Sequence, residues 1–214
     1  MNFETKYLIR WGIPGWMFIF WIAVYFVLTK FDFISTHIKF SEIGTLIGLF
    51  ISLSAFGVVL GYIIHHLYFV INWIVSKNRI FDNAIKRVTN FPYPNDWKEN
   101  NNNDYFYFEC LWHKNLLDIN EEEKRTYIVE RYRYLLSTIH TLGTVLISHL
   151  LSAVFTIFAT IWIYGFSSYP LRIDVMFAIQ VIIILVVLSS FKYYSSNLNY
   201  FQGSFLDKML KKEL

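Results

Sequence analysis

The sequence predicts an all-α integral membrane protein with four transmembrane helices and a cytoplasmic helical segment between the second and the third. Three observations predict it. Of 214 residues, 55% are hydrophobic and only 16% charged, against about 25% charged in an average soluble domain. Four apolar stretches are long enough to cross a hydrocarbon core of about 30 Å as helices, the form in which a chain satisfies its own backbone polar groups away from water. Aromatic residues reach 20%, and Trp and Tyr favour the headgroup level, where a ring buries its body and wets its polar edge.

The first span runs from Gly12 to Thr29, with Pro14 near its start, where a missing amide donor costs least. Its apolar run is too long for a cleaved signal peptide, no small-residue cleavage site follows, and Lys30-Phe31-Asp32 comes next, so it is expected to stay as a permanent span. The second span begins at Ile43 and stays apolar to Val75, long enough to tilt or to project beyond the bilayer. The third covers Ser137 to Tyr164 and the fourth Val175 to Phe191. The chain thus divides into a first helix pair (1–76), a cytoplasmic segment (77–136), a second helix pair (137–191) and a cytoplasmic tail (192–214).

Lys and Arg set the expected orientation, because they accumulate on the cytoplasmic side. Lys6 and Arg10 precede the first span, the stretch from Lys77 to Leu135 holds ten basic residues, and the tail carries Lys192, Lys208, Lys211 and Lys212. The loop after the first span has only Lys30 and Lys39, and the loop after the third only Arg172. Both termini and the middle segment are therefore expected in the cytoplasm, and the protein in a prokaryotic inner (plasma) membrane. A net charge of +3, gathered near helix ends, marks topology rather than nucleic-acid binding.

The middle segment balances ten acidic against ten basic residues. It opens with an amphipathic stretch, Asn78 to Thr89, breaks at Pro92, Pro94 and the polar run Asn100 to Asn103, and is aromatic-rich from Asp104 to Leu117. Asn120 followed by three glutamates has the form of a helix start, with a capping side chain and carboxylates at the positive end of the helix dipole. That helix is expected to continue through Arg133 into the third span. Some sixty residues suit a docking surface for a cytosolic protein better than a separate catalytic domain.

Two faces bear on assembly. Gly44, Gly48, Ser52, Gly57 and Gly61 place small residues along the second span, where close backbone approach drives helix association in lipid. They serve either packing within one subunit or a homo-oligomer interface. In the third span Thr141, Thr144, Ser148, Ser152, Thr156 and Thr160 follow one another at steps of three and four and so share a slowly drifting face. His149 lies next to it and His140 marks its cytoplasmic end. Such hydroxyls either bond to the carbonyl of the preceding turn in a packing face or line a wetted path.

Candidate chemistry is sparse. His65 and His66 are adjacent, about 100° apart on a helix, and so cannot share one metal. Glu109, Cys110 and His113 cluster without further ligands at a telling spacing, and the single cysteine excludes a disulfide framework. No phosphate-cradling glycine loop, nucleophile elbow or zinc-protease signature is present. No cofactor, metal or enzyme activity is expected. Arg133 and His140 stand two helical turns apart, a spacing similar to the Arg-to-His motif of HEPN-type ribonucleases. In such a motif the pair acts on an RNA phosphate by charge stabilisation and proton transfer. A snorkelling Arg133 at the membrane boundary is the plainer alternative, and no direct nucleic-acid contact is expected.

The opening Arg10-Trp-Gly-Ile-Pro-Gly-Trp16, the two-plus-two spans and the stretch Glu130-Arg-Tyr-Arg-Tyr-Leu-Leu-Ser-Thr-Ile-His140 resemble small membrane proteins of bacterial anti-phage defence. Similar in architecture are the membrane accessory proteins of type VI-B CRISPR loci, with the four-span subunit of the Kiwa system as a second likeness. The resemblance implies an oligomeric membrane effector that depolarises or permeabilises the inner membrane on a signal from a cytosolic partner, and it carries over no functional residue. Two rival functions stand beside it: a non-conducting membrane scaffold or sensor that recruits a cytosolic partner through residues 77–136, and a small-solute transporter.

Overall fold

The computed structural model describes residues 5–30, 43–75, 79, 81–166 and 168–212. It is helical, with no strand among the described residues. The helices are α1 (Thr5–Thr29), α2 (Ile43–Phe69, continued by a π-helical turn Val70–Val75), α3 (Asp82–Ile85), α4 (Asn101–Leu117), α5 (Glu122–Tyr164) and α6 (Leu171–Leu210). Four of them, α1, α2, α5 and α6, are long and apolar enough to cross a membrane. Much of their apolar surface faces outward: Phe20, Phe56, Ile63, Phe158, Trp162 and Ile182 are all exposed. Water does not tolerate that surface in a contiguous array, and lipid does.

Helix boundaries differ from expectation at several points, α6 among them, which runs on past Phe191 to Leu210. Pro14 is interior, because α1 begins at Thr5 and takes in the basic stretch Lys6 to Arg10 ahead of the apolar run. The start of α5 is capped one residue later than expected. Glu121, rather than Asn120, supplies the first accepting carbonyl, taking the Arg125 amide at 3.0 Å. As expected, α5 continues without a break into the third apolar stretch. It stops at Gly165, which adopts φ +65°. That left-handed conformation is open to glycine at little cost and ends a helix cleanly.

The chain folds as two compact units, and the division passes through α5 and α6 rather than between chain segments. The first comprises residues 1–70 and 141–189, the second 71–140 and 190–214. The tail is thus not an appendage. Leu198, Phe205 and Leu206 belong to the core of the second unit.

In the first unit α1 and α2 touch backbone to backbone. A Cβ placed on Gly15 would lie 1.8 Å from the Gly57 carbonyl oxygen, and one on Gly61 would lie 1.6 Å from that of Trp11. Only glycine permits this approach. Trp16 seals the seam by donating its indole N–H to the Ser54 carbonyl at 2.8 Å. A separate cluster of Trp21, Tyr25, Ile173 and Met176 joins α1 to α6.

The second unit has two cores. Trp112, Leu116, Tyr132, Leu135 and Phe205 build one from α4, α5 and α6. Phe81, Ala84, Ile85 and Val88 give the other its helical spacing of three and four, packed on Phe91, Phe108 and Leu206. These four residues are the apolar face of the expected amphipathic stretch, though only Asp82–Ile85 is regular helix. Asn100, expected to break structure, instead caps α4 by accepting from the amides of Asn102 and Asn103.

Candidate functional site

The hydroxyl face of α5 is closed within one chain. Thr144, Ser148, Ser152 and Thr156 have no exposed surface, and Thr160 is buried as well; Thr141 at the end of the row is half-buried. Each of the five buried hydroxyls has an account. Ser152 donates to the His149 carbonyl at 2.9 Å and Thr156 to that of Ser152 at 2.9 Å. Thr160 donates to the Thr156 carbonyl at 2.8 Å. Its oxygen also lies 3.1 Å from the Tyr25 hydroxyl; since a carbonyl can only accept, Tyr25 is the donor of that second bond. Ser148 donates to the carbonyl of Pro14 on α1. Thr144 meets His65 Nδ1 of α2 at 3.0 Å.

His149 is the centre of the arrangement. It is 1% exposed, and its Nδ1 accepts the indole N–H of Trp21 at 2.9 Å. An indole can only donate, so Nδ1 must be the bare nitrogen and the proton of the neutral ring sits on Nε2. A proton added to Nδ1 would break the bond to Trp21. On α6 Gln180 is 1% exposed, and neither its amide oxygen nor its nitrogen has a partner among the described residues.

The small residues of α2 serve two sides. Gly57 and Gly61 face Trp16 and Trp11 of α1. Gly48 is exposed, and a Cβ added there would meet no atom of the described residues within 4 Å. Ser52 is also exposed and bonds back to the Gly48 carbonyl at 2.9 Å. The surroundings of Gly44 lie outside the described residues.

In the second unit an ionic knot fixes the start of the segment. Arg79 donates Nε to Asp82 at 3.0 Å, and its Nη1 pairs with Asp104, which is 2% exposed. The guanidinium also lies 4.9 Å from the ring centres of Phe81 and Trp97. Asp104 takes the Lys98 amide as well, at 2.9 Å. Tyr105 beside it has a hydroxyl pushed well above the usual tyrosine range, first by burial and then by the neighbouring Glu109 carboxylate.

The remaining candidates are dispersed. Arg133 is exposed while His140, two turns on, is buried, so the pair presents no common accessible surface. His65 engages Thr144, whereas His66 is exposed and packs edge-on against Tyr62. Cys110 and His113 are exposed, and no group of three metal-binding side chains occurs among the described residues.

No family model, curated protein or solved structure matches this chain.

Proposed function

We propose that this chain is a multi-pass protein of a prokaryotic plasma membrane, with both termini and the middle segment in the cytoplasm, acting as a non-conducting scaffold or sensor. The four apolar helices would anchor it, and the second unit would meet a cytosolic protein partner. One observation carries this choice over a pore: the hydroxyl face that could have lined a wetted path is spent on contacts to α1 and α2 of the same chain. Opening it to water would break those bonds. The placement of the second unit is supported by its composition, since residues 77–135 carry twenty charged side chains around two compact cores.

The test pairs two assays on one preparation. Affinity capture from the native host is expected to recover a protein whose retention is lost when exposed residues of α4 such as Phe106 and Lys114 are changed to Ala. Liposomes carrying the purified chain are expected to hold their ion gradient. Leakage at the level of a known channel would remove the scaffold proposal.

A second proposal, the oligomeric permeabilising effector of anti-phage defence, is favoured by Gly48. Its open face, with exposed Ser52 one turn on, leaves room for a helix of another copy. Any conducting path would then run between copies. Crosslinking through a cysteine placed at Ser52 distinguishes the two, because the scaffold needs no such neighbour.

A further inference from the structure

The second unit holds an open cavity of about 550 Å³. Three cations line it, Lys86, Arg87 and Lys192, together with the polar side chains of Asn83, Ser195 and Asn199; no carboxylate among the described residues does. Its formal charge of +3 equals that of the entire chain, so positive charge that elsewhere is balanced is here concentrated. No carboxylate among the described residues forms an ion pair with Lys86, Arg87 or Lys192. Arg87 is held in place by Tyr200, whose ring centre lies 4.7 Å from its guanidinium carbon. Lys192, Ser195 and Asn199 follow at steps of three and four on α6 and so share one face.

Position narrows the ligand. Two further lining residues, Asn72 and Phe191, stand where apolar stretches end. Asn72 lies about one helical turn before the apolar run of the second span gives way at Ser76-Lys77, and Phe191 is followed at once by Lys192. Lipid phosphates lie at that depth, and basic pockets there suit anionic headgroups. The volume exceeds what a bare phosphate needs and falls in the range of small-molecule sites.

We infer that this cavity binds the phosphate diester of an anionic phospholipid headgroup, with Lys86, Arg87 and Lys192 meeting the phosphate oxygens and Asn83, Ser195 and Asn199 the headgroup hydroxyls. The site does not depend on whether the spans conduct. A soluble phosphate ester offers the same chemistry, so the test separates the two sources.

Full-length protein in neutral detergent is titrated with phosphatidylglycerol or phosphatidylcholine, and bound lipid is counted by native mass spectrometry. Phosphatidylglycerol is expected to be retained and phosphatidylcholine lost. The double variant K86Q/K192Q, which spares the Arg87–Tyr200 contact, is expected to weaken retention roughly thirtyfold, at five- to sixfold for each basic group. The charge-matched K114Q/K208Q, at exposed positions outside the cavity, is expected to behave as the parent. S195D, which sets a carboxylate inside, provides a second variant should the first fail to fold, and it too is expected to release the lipid. Equal loss from the cavity and control variants would overturn the proposal, as would indifference to lipid charge. Glycerol 3-phosphate binding as tightly as the lipid, and lost in K86Q/K192Q, would overturn the lipid source and assign the cavity to a soluble ester.

Discussion

Replacing Gly61 by Ala drives one methyl group into the seam between α1 and α2. The new Cβ would stand 1.6 Å from the Trp11 carbonyl oxygen, where ordinary contact begins near 3.4 Å. The gap to be opened is therefore about 1.8 Å, and a helical carbonyl cannot swing aside as a side chain can. Moving the helices apart by that amount stretches the Trp16–Ser54 bond, now 2.8 Å, beyond hydrogen-bonding range. Overpacking of this kind costs about 1–3 kcal/mol, and the lost bond adds roughly 0.5–1.5 kcal/mol. Alanine returns about 1 kcal/mol of helix propensity. Gly48→Ala receives the same propensity gain without the clash, since nothing lies within 4 Å. The two alanine variants should therefore differ by about 2–4 kcal/mol, or roughly 5–15 °C in Tm for a chain of this size. Thermal unfolding in one detergent, followed by tryptophan fluorescence, measures that difference. Equal melting temperatures for Gly61→Ala and Gly48→Ala would refute the close approach.

Further perturbations read other parts of the molecule. Gln180→Leu removes two buried polar atoms that have no partner among the described residues and should raise stability by about 1–3 kcal/mol; a loss would mean the amide is satisfied by something bound. Arg79→Ala leaves the Asp104 carboxylate buried without its cation and should cost about 3–5 kcal/mol, visible as early loss of helical circular dichroism, whereas Arg133→Ala at an exposed site should cost under about 0.5 kcal/mol. Tyr105 has its folded-state pKa raised, so it binds its proton more tightly when folded; its contribution is complete below about pH 10 and is lost as pH rises beyond. Absorbance titration near 295 nm should show late-ionising tyrosines, Tyr132 among them, and one fewer in Tyr105→Phe; an unchanged curve would discount the buried hydroxyl. Thr144, Ser148 and Ser152 changed together to Leu should unfold the first unit rather than alter any ion flux, because these side chains have no exposed surface into which a larger one could turn.

How far the sequence alone reached depended on the range of the interaction. Span positions were legible because apolar length is a local property, and α5 could be followed through Arg133 into its apolar half from the capping and acidic residues at its start, read one residue early at Asn120. That Thr144 to Thr160 share a face was equally legible. What that face meets was not, since Pro14, Trp21, Tyr25 and His65 are brought to it by other helices. The small residues of α2 look alike in sequence, yet Gly57 and Gly61 meet α1 and Gly48 meets nothing among the described residues. Asn100 was misjudged through composition: a polar Asn run suggests a break, but its first member is a helix cap. Pro14 was misplaced because the start of α1 was set by hydropathy, which ignores the basic turns before it. The cavity was hidden by separation along the chain, since Lys86 and Arg87 stand more than a hundred residues from Lys192 and had shown only as topology markers. One signal was available: Lys192, Ser195, Ser196 and Asn199 make a polar face just past an apolar span.

The central claim is that the apolar helices cross a bilayer and leave the second unit on the cytoplasmic side. The chain has a single cysteine, Cys110, and it is exposed on α4, so the native protein carries its own reporter. A membrane-impermeant maleimide applied to sealed vesicles of known orientation measures it directly. Labelling of inside-out vesicles, with right-side-out vesicles protected until detergent is added, is the predicted result. Labelling of intact right-side-out vesicles would contradict the account.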